Sequence, residues 1–203
     1  MSEKITAKYF FTEFTKIKDD PEAKESYPSN KSFTSFVIPK INEILDNSIE
    51  QQLKNVQNEY YRIDAIKWAK CKNDNDRSCH LRNHLWDLQV AVEHENDSRD
   101  WMDEVTKLAH ICCDLRVVIG YLPHEKRKID EKDKNEDEDI KCLDYIVNAL
   151  QKLACYDNMK RGEFLIIIGS SDTGGEKHQD KFFHYKGYIF NKTTENFEEL
   201  SIS

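Results

Sequence analysis

Leu85-Trp86-Asp87-Leu88-Gln89-Val90-Ala91-Val92-Glu93-His94-Glu95 is rich in apolar and β-branched residues and ends in two acids set two positions apart. In a strand, residues two apart point to the same face. Ala91, Glu93 and Glu95 therefore face one way, and Val90, Val92 and His94 the other. Ionised carboxylates this close repel, and burying them unpaired is expensive. A strand covered by a helix then needs a cation, a basic partner or solvent on that face.

Downstream, Asn96-Asp97-Ser98 carries helix-capping chemistry and predicts a helix over Arg99 to Asp114. Trp101, Val105, Leu108, Cys112 and Leu115 form its apolar stripe. Arg116-Val117-Val118-Ile119-Gly120-Tyr121 reads as a buried strand ended by Pro123. Residues 124–139 interleave charges of both signs, and Lys126, Arg127 and Lys128 among them read as part of a solvated face. A further helix carries Ile140, Leu143, Val147, Leu150 and Leu153, and Phe164 to Ile168 returns as a buried strand. The stretch Gly169 to Gly175 reads as a turn and lacks the pattern of a phosphate-binding loop. A last strand is expected over Phe182 to Phe190.

Upstream, Tyr60 to Ala69 is aromatic and β-branched and stops at the polar segment Lys72 to Ser78. Asp64 sits inside its apolar run Ile63-Asp64-Ala65-Ile66, where an acid has little packing reason to be. Strands adjacent in sequence usually neighbour one another, which brings Asp64 near Glu93 and Glu95. Before it, Ile41, Leu45, Ile49, Leu53, Val56 and Tyr60 recur at helical spacing, and a first helix is expected over Ile5 to Lys18. Turn chemistry at Asp20-Pro21 and Tyr27-Pro28-Ser29-Asn30 separates the two.

The order predicts an α/β fold with a central mixed β-sheet flanked by helices. We read 1–203 as a single domain, with 1–40 an N-terminal helical extension, 41–121 the motif-bearing core, and 140–203 a C-terminal helix and strands completing the sheet. The N-terminus lacks the apolar run of a secretory signal, and Phe164 to Gly169 is far shorter than the ~20 residues that cross a bilayer. Six cysteines without scaffold-like spacing point to thiols in a reducing cytoplasm rather than disulfides.

The formal net charge of -8 opposes nonspecific binding to a phosphate backbone, although carboxylates gathered at a metal site are partly neutralised by the cation. Three oxygen-bearing side chains, Asp64, Glu93 and Glu95, suit Mg²⁺ or Mn²⁺. Cys71, Cys79, His80 and His84 are a weaker zinc set, because Cys71 and Cys79 stand eight positions apart. His94 alternates away from the glutamates and reads as a core histidine. No matched Cys/His/Asn arrangement supports a cysteine hydrolase at Cys112.

The order of helix, Arg62-Ile63-Asp64-Ala65, strand ending Val92-Glu93-His94-Glu95, amphipathic helix and strand Arg116-Val117-Val118-Ile119 resembles the PD-(D/E)XK nuclease superfamily. The likeness spans roughly residues 40–121 and implies a restriction endonuclease-like core. It also implies that Asp64 and Glu93 bind the metal and that Glu95 stands where the pattern expects Lys. Some restriction enzymes of the superfamily carry Glu there. Others supply the lysine from the following helix, for which Lys107 is the candidate here, with Glu104 three residues before it on the same flank. The preceding helix often contributes an acid, and Glu59 is the residue at that place. The resemblance implies Mg²⁺-dependent hydrolysis of phosphodiesters in nucleic acid, DNA in the first instance, with a two-fold homodimer favoured by double-strand cleavage. A noncatalytic interaction or regulatory protein that keeps the fold is the alternative, and a nucleotide phosphohydrolase a third.

Overall fold

The computed structural model describes residues 5–26, 30–46, 56–60, 62–70, 86–96, 100–121, 138–172 and 182–201. Four helices or helical turns come first among the elements described: α1 (Ala7–Thr15), a 3₁₀ turn (Lys16–Asp19), α2 (Pro21–Ser26) and α3 (Asn30–Asp46). Then follow β1 (Val56–Tyr60), β2 (Ile63–Lys70), β3 (Trp86–His94), α4 (Trp101–Ala109) and β4 (Leu115–Tyr121). The chain ends with α5 (Glu138–Leu150), α6 (Tyr156–Met159), β5 (Glu163–Asp172), β6 (Phe182–Asn191) and β7 (Asn196–Glu199).

The strands form one seven-stranded sheet in sequence order. The first three make an antiparallel meander, β3, β4 and β5 run parallel, and β6 and β7 return antiparallel. This is the mixed sheet flanked by helices that the alternating pattern predicts.

Strand alternation divides the core into two layers. On one face, Ala65, Val90, Val92, Leu115, Val117, Ile119, Leu165 and Ile167 pack under Phe10, Phe14, Phe33, Val37 and Ile41 of α1 and α3. On the other, Ile66, Ala91, Val118, Ile166 and Ile168 meet Trp101, Val105 and Leu108 of α4 and Leu143, Val147 and Leu150 of α5. β4 is buried along its whole length, and apart from Arg116 it and the middle of β5 are apolar on both faces because both faces are covered. Gly120 is required by this packing: a Cβ there would lie 2.5 Å from Trp101 Cγ. Glu163, at the start of β5, accepts a hydrogen bond from the Ala7 backbone N–H (2.8 Å) and so places a carboxylate at the α1 N-terminus.

Several expectations are corrected. Of the helix expected to run from Ile41 to Tyr60, α3 is described through Asp46, residues 47–55 lie outside the described residues, and Val56–Tyr60 is strand β1. Pairing with β2, down to Tyr60 opposite Ile63, overrides the local helical spacing. Glu59 is accordingly a strand residue rather than the acid of a preceding helix. Asn96 does not cap α4: its amide donates to Asn30 O (2.9 Å) and Thr34 Oγ1, and Asp100 is the N-cap residue. α4 is also shorter than predicted, so Cys112 is exposed while Cys113 is buried. Leu153 is 40% exposed, and Ile146 joins the buried side of α5 instead. Gly169 to Asp172 extend β5, paired with Tyr185 to Phe182 of β6, and are not a turn. Strand β7 was not expected at all. The polar segment Lys72–Ser78, the set Cys71, Cys79, His80 and His84, the basic residues Lys126, Arg127 and Lys128, and Thr173–Gly175 lie outside the described residues.

Candidate active site

β3 is the strand at which the sheet changes from antiparallel to parallel pairing, and its carboxyl end carries Glu93 and His94. In open α/β sheets the crevice outside the carboxyl ends of parallel strands is where ligands bind. The register Ala65 opposite Val92 brings Asp64, one residue earlier on β2, across from Glu93. Both face α4, on the side of the sheet that holds Ile66 and Ala91.

The two carboxyls are tied together through the backbone. The His94 N–H donates to Asp64 Oδ2 at 2.7 Å, and the Asp64 N–H lies 3.4 Å from Glu93 Oε2. Each strand thus positions the side chain of the other. The exposure of Glu93 is only 2%, whereas Asp64 is half-buried.

α4 supplies the remaining charges. Lys107 Nζ lies 2.7 Å from Glu93 Oε1, pairs closely with Glu104 Oε2, and donates to Arg62 O at 3.0 Å. Glu104 and Lys107 are three positions apart, which sets them side by side on the helix. Arg62 belongs to the tight connection between β1 and β2 and has φ 64°, the left-handed region that a non-glycine residue occupies at a cost. That conformation accompanies the carbonyl's contact with Lys107.

Electrostatics single out Glu93. Burial, opposed by Lys107 and reinforced by the neighbouring Asp64 and Glu104 carboxylates, pushes its carboxyl up to about 8. Lys107, although burial works against its charge, is held above the usual lysine range by Glu104 and Glu93. Glu93 Oε1 and Glu104 Oε2 are buried and lack a well-aligned hydrogen bond among the described residues, so charge rather than hydrogen-bond geometry holds them.

Of the residues singled out from sequence, Asp64, Glu93 and Lys107 come together. Glu95 lies one residue past the end of β3, half-buried, with its backbone N–H on Ile119 O (2.9 Å). The charges that act most on Glu93 are Lys107, Asp64 and Glu104. Glu104 is the residue that sequence reasoning left outside the site, although its spacing to Lys107 was the signal. His94 is buried on the opposite face against Phe33 and Tyr121, with Nε2 3.0 Å from the Tyr121 hydroxyl, and burial pushes its imidazole down to about 3.

Mg²⁺ is commonly held by one or two carboxylates and keeps several waters, and Asp64 and Glu93 are the carboxylate pair here that could hold such an ion. Among the described residues, no group of three or more carboxylate, imidazole or thiolate side chains is arranged to enclose a metal ion. No helix among them is long and apolar enough to cross a membrane. No family model matches the chain, and no curated protein or solved structure does so.

Proposed function

We propose that this chain is a metal-dependent nuclease that hydrolyses phosphodiester bonds in nucleic acid, resembling PD-(D/E)XK enzymes. The observation that carries the reading is the meeting of Asp64 and Glu93 across β2 and β3 with Lys107 of α4 against Glu93. The order of elements supports it too: α3, the strand bearing Asp64, the strand ending at Glu93, the amphipathic α4 and β4 follow the order of the resemblance.

Asp64 and Glu93 would hold Mg²⁺ or Mn²⁺, which supplies a Lewis acid for the scissile phosphate and a more acidic bound water. Burial pushes the Glu93 carboxyl up to about 8, so a positive charge beside it favours its ionised form, and a bound cation would supply one. Among the described residues, the Lys107 ammonium, held by Glu104, is the group best placed to orient a water or face a phosphate oxygen. Glu95, at the position where the pattern has Lys, is the second candidate for orienting water.

The noncatalytic alternative draws on one observation: the Lys107 ammonium already lies against Glu93, at 2.7 Å, where an added ion would sit. Incubation of the wild type and Asp64→Asn with single- and double-stranded DNA and RNA, in Mg²⁺ or Mn²⁺, separates the readings. Cation-dependent cleavage, reduced on the order of a hundredfold or more in Asp64→Asn, is expected. Absence of cleavage on every substrate would leave the noncatalytic reading.

A further inference from the structure

Three oxygens surround the Lys107 ammonium: Glu93 Oε1 at 2.7 Å, Glu104 Oε2, and the Arg62 carbonyl at 3.0 Å. They come from three separate elements, β3, α4 and the connection before β2, so the sheet and helix together shape a cradle for a cation. The side chain that fills it is one-third exposed, at 33%, while the Glu93 side chain beneath it is only 3% exposed. An ammonium on a flexible four-carbon stem can leave such a cradle toward solvent without disturbing the core, whereas Glu93 cannot follow it.

From this geometry we propose that Lys107 is an internal counter-ion of the site: its ammonium occupies the cation position at Glu93 in the metal-free protein, and a divalent ion must take Glu93 from it. Glu104, which lies on the same helix as Lys107, keeps the displaced ammonium beside the site. This inference rests on the reading of Asp64 and Glu93 as metal ligands. It deepens that reading by making the lysine a competitor of the ion as well as a neighbour of the substrate. Where Glu93 ionises, the ammonium compensates its charge in place of the ion, and divalent affinity is lowered in return.

Calorimetric titration with Mn²⁺ of the wild type, Lys107→Met and Lys107→Gln tests it, with Lys152→Met as a control that removes an exposed positive charge elsewhere. Removing a competing charge in contact with a ligand carboxylate should tighten Mn²⁺ binding by about tenfold or more in both Lys107 variants, with Lys152→Met close to the wild type. Circular dichroism checks that each variant is folded, and the glutamine variant retains a polar group should methionine prove disruptive. Equal or weaker binding in a folded Lys107 variant, with the wild type binding Mn²⁺, overturns the counter-ion role and leaves the metal site standing. Absence of Mn²⁺ binding in the wild type and both variants overturns the metal reading itself, and the counter-ion role with it.

Discussion

Replacing Glu93 by glutamine should make the metal-free protein more stable at neutral and alkaline pH. Glutamine keeps the shape of the side chain and an acceptor for Lys107 but cannot ionise. In the wild type the Glu93 carboxyl is pushed from its ordinary value of 4.5 up to about 8 by burial and by the Asp64 and Glu104 carboxylates. A folded-state value above the unfolded one means that the folded state holds the proton more tightly. The stability linked to that proton is complete below about pH 4.5 and is lost as pH rises through about 8. Between those limits the loss approaches 1.4 kcal/mol per pH unit, by the relation of about 1.36 kcal/mol to each unit of pKa. From about pH 6 to about pH 8, allowing for flattening near the upper value, wild type should lose about 2 kcal/mol relative to Glu93→Gln. Urea unfolding of both proteins across that range, with chelator present, measures the difference directly. A stability gap that stays constant with pH, or that widens toward acid, would refute the description of Glu93 as a buried, proton-holding carboxyl.

His94 should produce the opposite slope at lower pH. Its imidazole is neutral in the fold, pushed down from 6.5 to about 3, so the unfolded chain takes up the proton first and stability is lost as pH falls below about 6.5. His94→Gln should flatten that acid limb in urea unfolding between about pH 4 and about pH 6.5, whereas unchanged slopes would contradict it. Gly120→Ala places a methyl 2.5 Å from Trp101 Cγ and should cost about 1–3 kcal/mol in chemical denaturation. For the adjacent cysteines, thiol alkylation mapped by mass spectrometry should modify exposed Cys112 in the native protein. It should reach Cys113, which is buried with its thiol pushed up to about 12, only after unfolding.

What the sequence makes legible follows from where periodicity is backed by burial. Val117 to Ile119 and Phe164 to Ile168 are continuous apolar runs because helices cover both faces of the parallel strands, and composition alone shows that. Asp64 and Glu93 were readable because each is an acid within an apolar strand, and alternation fixes the side it faces. Val56–Tyr60 was misread because its helical spacing is local, whereas its pairing with β2 is decided by a partner strand. β7 was missed for a related reason: Asn196–Glu199 is a short edge strand with Glu198 and Glu199 exposed, so only Phe197 carries the apolar signal.

The site shows the same division. Lys107 was reached through the resemblance, and the three-residue spacing set Glu104 on its flank. Only the helix's placement over β3 brings that pair beside Glu93. Glu95 follows β3 directly, with its backbone N–H still on Ile119 O. The Arg62 carbonyl carries no side-chain signal, because it depends on a backbone angle at a turn.

The most direct test of the central claim, that Asp64 and Glu93 together form a divalent-cation site, is calorimetric Mn²⁺ titration of the wild type, Asp64→Ala and Glu93→Ala. Saturable binding by the wild type that is lost or severely weakened in both variants is the predicted result. Binding that is undiminished in the two folded variants would show that these carboxylates do not hold the ion.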